Sequence, residues 1–459
     1  MRSRKKLSLW AALPPYLGGK RRLCPLIFRE IDRILPRRFW RGRVFLDAFL
    51  GGGSISLYAK AQGFRVVSCD IAERSIMVGH ALIENSRVKL AREDVLRLVA
   101  PSNDPPGRIE AGYVPRVFTR EQGRFLDRVL TTAAAMQDPA KAALLRLLGI
   151  RVAMLAHPMS QIRPGTIHRM ATGEVESITE SCVHHYVDGL RLTRPGKLWE
   201  LAQLHNAGVF EGQGTVHRVS VLEALPAIHA DVAYFDPPYP GVMSYEKEYR
   251  IIDEILEGSS RPNSPFTAKD GASLLDTLFE KAVHIPVWLL SLGNAVVSIE
   301  ELEAKMAKHG RQTKAIAIRY QHLPAVATAE KKRENREFLV VGVDPKAALL
   351  RGQQFGRHVT EALTGGIVEA KADPSRSESP ASSTLPHDGG QQRESALTNE
   401  AGSVPEREHL GEGNAGVDHP DARLVEHSLD GDGEVWFADR HRHSGSLGTS
   451  ARVKEADHE

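Results

Sequence analysis

Cysteine is scarce: Cys24, Cys69 and Cys182 are the only three in 459 residues. They stand too far apart for a disulfide framework or a metal knuckle, so a reducing compartment is expected. Long apolar runs are missing too. Leu7–Leu13 is interrupted by Ser8 and stopped by Pro14 and Pro15, too short for a secretory leader and far below the roughly 18 apolar residues of a membrane span. A cytoplasmic protein without membrane association is the expectation. His157, His168, His184 and His185 lack ligand spacing, so surface or capping roles are expected for them and no metal. No internal repeat is found.

What is present is a chain of ordinary apolar content, 42%, able to bury a sizeable core. Its length suits two domains, or one enzyme domain with an insertion and a tail. The net charge of +3 hides an asymmetry. Residues 1–43 hold thirteen Lys/Arg against Glu30 and Asp32, whereas residues 366–459 hold nineteen Asp/Glu against nine Lys/Arg. The body of the chain is therefore basic, a footprint for a polyanion or simply a solubilising surface. The acidic end, rich in Gly, Ser and His, is expected to be disordered.

Strand and helix signals alternate in two blocks, which predicts an α/β fold with a mostly parallel sheet. Strands are expected at 43–49, 64–69, 215–221, 231–235 and 285–292, with an antiparallel pair at 314–320 and 337–343. Helices are expected at 54–62, 72–84 and 300–308. Between the blocks lie about 140 residues of different texture, with helices expected at 121–134 and 139–155 and an exposed loop at 158–179.

Three motifs carry chemistry. Phe49-Leu50-Gly51-Gly52-Gly53-Ser54 stands at a strand-to-helix turn. Glycines there let the backbone approach a ligand, and the helix start offers free N–H groups. Asp70 ends the next strand, where a carboxylate can accept from ribose hydroxyls. A dinucleotide enzyme could show the same pair, but its G-x-G-x-x-G would need glycine where Ser56 stands. Asp236-Pro237-Pro238-Tyr239 follows another strand, at the sheet edge where open α/β folds bind ligands. An exocyclic base amine is a poor nucleophile because its lone pair is delocalised into the ring. The Asp236 carboxylate and the Pro237 carbonyl can accept hydrogen bonds from its two N–H groups, with prolines fixing the backbone and donating nothing in return. Tyr239 offers a face for stacking. A plain turn after a strand is the competing account. Tyr16-Leu17-Gly18-Gly19-Lys20 could lay a ring and an ammonium on the same ligand, or be merely a basic turn.

The order YLGGK (16–20), FLDAFLGGGS (45–54), CDI (69–71) and DPPY (236–239) resembles the Dam-type adenine-N6 DNA methyltransferases. The likeness runs over about residues 12–343, takes in Val117-Phe118-Thr119-Arg120 and Asn335-Arg336-Glu337-Phe338-Leu339, and is loose in the middle. It implies a Rossmann-like S-adenosylmethionine-dependent sheet, built from residues 1–90 and 213–345. It also implies a mainly helical target-recognition insert at 91–212, followed by a tail at 346–459. By the resemblance, Tyr16, Lys20, Phe49, Gly51, Gly53, Asp70 and Asp236 would hold the cofactor. Asp236, Pro237, Pro238 and Tyr239 would act on the target base, Tyr239 by stacking. Three positions depart from the family: Tyr16 where Trp is often found, Ala72 where Asn is common, and the place nearest Ser220 and Glu223, where an acidic residue often ends the strand and meets the cofactor's adenine.

Double-stranded DNA is the implied partner, with a restriction endonuclease as a possible second. A base inside a duplex must leave the stack to be modified. Phosphate contacts from the basic N-terminal segment would help to hold the DNA. Arg151, Gln161, Arg163 and Arg169 are candidates for reading base edges. Three alternatives stay open: a cytosine-N4 DNA methyltransferase, an RNA base-amine methyltransferase, and an inactive DNA-binding descendant.

Overall fold

The computed structural model describes residues 8–101, 104–157, 189–240, 245–259, 264–268, 270–294, 297–319, 336–347 and 368–370. In chain order α1 (Cys24–Ile34), β1 (Val44–Asp47), α2 (Ser54–Gln62) and β2 (Arg65–Asp70) come first. Next is α3 (Glu73–Val78), which runs on as a π-helical stretch, Gly79–Glu84. Helices α4 (Arg92–Leu96), α5 (Arg108–Tyr113), α6 (Arg120–Ala134), α7 (Pro139–Leu155) and α8 (Pro195–Ala207) follow. After them come β3 (Gln213–Arg218), α9 (Val221–Ala224), β4 (Val232–Phe235), α10 (Tyr245–Glu248), α11 (Arg250–Glu257) and α12 (Leu274–Lys281). The described order ends with β5 (Val287–Gly293), α13 (Ile299–Lys308), β6 (Gln312–Arg319), β7 (Arg336–Val343) and β8 (Val368–Ala370).

The described strands form one eight-stranded sheet in the order β3-β2-β1-β4-β5-β7-β6-β8. Pairing is parallel throughout, except that β7 runs antiparallel to both β5 and β6. This is the α/β architecture expected, with the antiparallel pair in place. β1 and β4 lie side by side although the chain leaves β1 toward β2, so the direction of winding reverses between them. Open sheets bind ligands in the crevice at such a switch point.

Alternating residues of the central strands feed two cores. Phe45, Val66 and Tyr234 pack with Ile27 and Ile31 of α1 and Leu144 and Leu148 of α7. Leu46, Val67 and Phe235 pack on the other face with Leu278 and Phe279 of α12 and Leu302 of α13. Burial on both faces explains why these strands read as continuous apolar runs. Helix α2 is bounded by Gly53 and Gly63, both left-handed, with φ of 79° and 96°. Helix α6 opens with a capping box from Thr119 and Gln122. In α7, Asp138 caps and Pro139 fills the first turn. The helices of the 91–212 span share the first core with the sheet rather than forming a core of their own.

Three local expectations change. Residues 24–34 were read only as part of a basic segment. They form α1, whose Ile27, Phe28, Ile31 and Ile34 are buried while Arg29 and Arg33 face outward with side chains 60% and 47% exposed. Arg43 and Arg65 sit at the amino ends of β1 and β2, the sheet edge opposite the glycine loop. The strand expected at 215–221 ends at Arg218, because Ser220 already stands at the cap of α9. Within the span read as tail, β8 pairs with β6, whose outer edge would otherwise lie open. The remainder of that tail beyond residue 370, and the loop candidates Gln161, Arg163 and Arg169, lie outside the described residues. No helix among the described residues is long and apolar enough to cross a membrane.

Candidate active site

A cavity of about 340 Å³ opens at the carboxyl ends of β1, β2 and β4. That is within the range of small-molecule sites. Of the residues expected to meet the cofactor, Tyr16, Lys20, Phe49, Gly51, Asp70 and Asp236 line it, as do Pro237 and Pro238. Gly53 and Tyr239 are not on its wall.

The glycine loop leaves β1 through backbone bonds that tie it to both neighbouring strands. Ala48 N–H donates to the Tyr234 carbonyl at 3.0 Å and Leu50 N–H to the Cys69 carbonyl at 2.9 Å. The ring of Tyr16 lies against the loop so closely that a Cβ on Gly52 would stand 2.6 Å from Tyr16 Cβ. Gly51 is left-handed, with φ 49°. Gly53 serves packing instead, since a Cβ there would meet Val78 at 2.8 Å. Asp70 is held by two backbone donors, Gly51 N–H at 2.9 Å and Ala72 N–H at 2.8 Å. Because residue 72 contributes its main chain to this grip, alanine there leaves the carboxylate in place.

Tyr16 stacks on Tyr249 at 5.0 Å between centroids and on Tyr245 at 6.3 Å. The Tyr249 hydroxyl accepts from Leu17 N–H at 2.7 Å, fixing the segment that carries Tyr16 and Lys20. Arg74 is buried, lies over the Tyr249 ring and pairs with Asp253. Tyr245, Tyr249 and Arg74 were not singled out from sequence. Short helices after the DPPY turn bring the tyrosines back to a motif more than two hundred residues away, and a lone arginine carries no motif.

At the DPPY turn, Lys20 Nζ stands 2.8 Å from Asp236 Oδ1 and donates to the Gly18 carbonyl at 3.1 Å. The same ammonium lies 3.4 Å from Glu337 Oε1 and 3.2 Å from the Tyr239 hydroxyl. Tyr239 O–H donates to the Glu337 carboxylate, 2.9 Å and 2.7 Å from its two oxygens. Burial works against charge on Lys20, but the carboxylates of Asp236 and Glu337 outweigh it and hold its pKa well above the usual value. The Tyr239 hydroxyl is anchored to Glu337 and its ring lies beside Gly293, where a Cβ would come within 3.0 Å.

The cavity's far end is apolar. Phe49 meets Phe266 edge-on at 5.1 Å, and Ser220, Val221 and Glu223 complete the wall. Both positions considered for the missing acidic contact, Ser220 and Glu223, reach it. Asp47 also lines the cavity, with Oδ2 accepting from Ser56 Oγ at 2.6 Å. Burial pushes its pKa up to about 7. Arg151 does not face outward for base reading: its guanidinium donates to the Ala11 carbonyl. His157 is a core residue, edge-on to Phe118.

Residues 16–105, which carry Tyr16, Lys20, the glycine loop and Asp70, match the family model of the D12 class N6 adenine-specific DNA methyltransferases. Over 338 residues the chain is 27% identical to the type II methyltransferase M2.HphI of Haemophilus parahaemolyticus. That likeness covers 71% of this chain and 95% of the relative. The fold and the cavity agree with these likenesses: the chain is similar to adenine-N6-specific DNA methyltransferases of α/β fold.

Proposed function

We propose that this enzyme transfers a methyl group from S-adenosylmethionine to N6 of an adenine flipped out of duplex DNA, with Asp236 and Pro237 as the groups that grip the amine. The observation that carries the reading is the shared cavity. Asp236 and Pro237 open onto the same space as the Gly51–Gly52 loop and Asp70. A catalytic turn and a cofactor cradle thus meet at one switch point of the sheet.

The residues present fit S-adenosylmethionine. Asp70 is aimed by two backbone N–H groups, which leaves its carboxylate lone pairs suited to ribose hydroxyls. Gly52 admits no side chain against Tyr16, so the loop forms a close-fitting cradle. Phe49 and Phe266 supply apolar faces for the adenine ring, with Ser220 or Glu223 at hand for its amine. When bound, this cofactor supplies an electrophilic methyl group on a sulfonium.

The protein's own contribution is positional and electrostatic. Lys20 fixes Asp236 Oδ1, so the carboxylate meets the incoming amine in one orientation. Asp236 accepts a hydrogen bond from one N6 N–H and the Pro237 carbonyl accepts one from the other, which draws the nitrogen lone pair out of conjugation with the ring. Tyr239, pinned through its hydroxyl just outside the cavity, is assigned to stack on the flipped base.

A base in a duplex is out of reach of this geometry, so extrusion is part of the reading. The 91–212 span is assigned to target recognition, with the 1–90 and 213–345 spans forming the transfer domain. A cytoplasmic site of action and a cognate restriction endonuclease complete the proposal, the latter prompted by the type II relative.

Purified protein with labelled S-adenosylmethionine and duplex DNA is expected to yield N6-methyladenine on nucleoside analysis. Asp236→Ala is expected to lose turnover while still binding DNA. Label recovered as N4-methylcytosine, or undiminished N6-methyladenine from the Asp236→Ala protein, would overturn the assignment.

A further inference from the structure

Glu337 is fully buried on β7, in the Asn335–Leu339 segment and outside the four motifs YLGGK, FLGGGS, CDI and DPPY that carry the site's chemistry. A buried carboxylate is costly unless partnered, and two of Glu337's partners come from those motifs. Tyr239 donates to it from the DPPY turn, and Lys20 lies 3.4 Å away from the YLGGK segment. A second observation concerns the strand beside it. Glu337 of β7 pairs across the sheet with Gly293 of β5, and Gly293 is the residue whose missing side chain makes room for the Tyr239 ring. The antiparallel strand and its glycine partner are thus shaped to let Tyr239 reach this carboxylate.

The charges matter as much as the contacts. Lys20 stands 2.8 Å from Asp236 and 3.4 Å from Glu337, so two carboxylates share one ammonium. Counted over these three side chains in their ionised forms, two carboxylates stand against one ammonium beside the cavity. With Glu337 neutral, Lys20 would cancel Asp236 alone.

We propose that Glu337 is a positioning residue of the transfer site. It holds the polar ends of Lys20 and Tyr239, and it leaves the cluster net negative, so that the cationic sulfonium donor is preferred over its neutral thioether product. This rests on the S-adenosylmethionine reading above.

The test is Glu337→Gln, which keeps shape and hydrogen bonding but removes charge. Calorimetric dissociation constants for S-adenosylmethionine and S-adenosylhomocysteine are measured beside single-turnover rate and thermal unfolding. The donor-over-product preference is expected to fall about tenfold, together with the rate. In a Lys20→Met background the same change is expected to add little, since coupled residues are non-additive. Unchanged preference and rate at a temperature where the variant is folded would overturn the proposal, whatever happens to its melting temperature. Should the glutamine protein not fold, Glu337→Asp is expected to keep the preference; losing it with the charge retained would equally overturn the idea. A wild-type protein that binds neither ligand would instead contradict the cofactor assignment itself.

Discussion

Asp236 has to hold still to accept a hydrogen bond from a weakly nucleophilic amine, and Lys20 holds it, with its own side chain only 3% exposed. Lys20→Met leaves that carboxylate, and Glu337 behind it, without their shared cation. Removing one partner of a buried pair costs about 3–5 kcal/mol, so a loss of that order is expected in urea unfolding, together with loss of methylation. A variant within about 1 kcal/mol of wild type would show that the ammonium is not what holds the cluster. Asp47 gives a pH signature at the same scale. Its pKa rises from the ordinary 3.8 to about 7 on folding, by burial. The folded state therefore holds this proton more tightly than the unfolded chain. The group favours folding most below about 4, and that advantage drains away as pH climbs toward 7. Asp47→Asn is expected to gain melting temperature relative to wild type across this window and to run parallel above it. A constant offset from pH 4 to 8 would contradict the assignment.

Among elements, the loop between β1 and α2 is the most exacting. Gly52→Ala would push a methyl group to within 2.6 Å of Tyr16. Crowding of that kind costs about 1–3 kcal/mol. The variant is expected to melt lower and to bind S-adenosylmethionine at least about tenfold more weakly in calorimetry; unchanged affinity would mean the ring does not brace the cradle. This loop was plain in the sequence, because a glycine run between an apolar strand and a helix has few other uses. The α2 boundaries, 54–62, are as read, and β2 and β5 fall within a residue or two, since buried strands show as unbroken apolar runs. Helix α1 was legible and missed. Cys24, Ile27, Phe28, Ile31 and Ile34 recur at helical spacing, but the arginines between them drew the reading toward charge. Tyr245, Tyr249, Arg74 and Glu337 could not have been placed from sequence. Tyr245, Tyr249 and Arg74 reach the site by tertiary packing from segments with no motif; Glu337 stands in the Asn335–Leu339 segment of the resemblance, but only coordinates bring it to Tyr239, 98 positions away.

For the whole molecule, the described residues that line the cavity all fall between Tyr16 and Phe266, well before the acidic C-terminal region. Truncation after residue 372 is expected to leave methylation and melting temperature largely intact. Cutting instead after residue 350 also removes β8 and opens the β6 edge, so a small loss of stability and some self-association are expected in light scattering. Loss of folding from the first cut would show that the region beyond residue 372 is structural. The most direct measurement for the central claim is single-turnover transfer by Asp236→Asn at saturating S-adenosylmethionine and duplex DNA. The account predicts a rate lowered about 10²–10³-fold, the scale for losing one preorganised polar contact at a transition state, with the fold unchanged. A variant that methylates adenine N6 at the wild-type rate would contradict it.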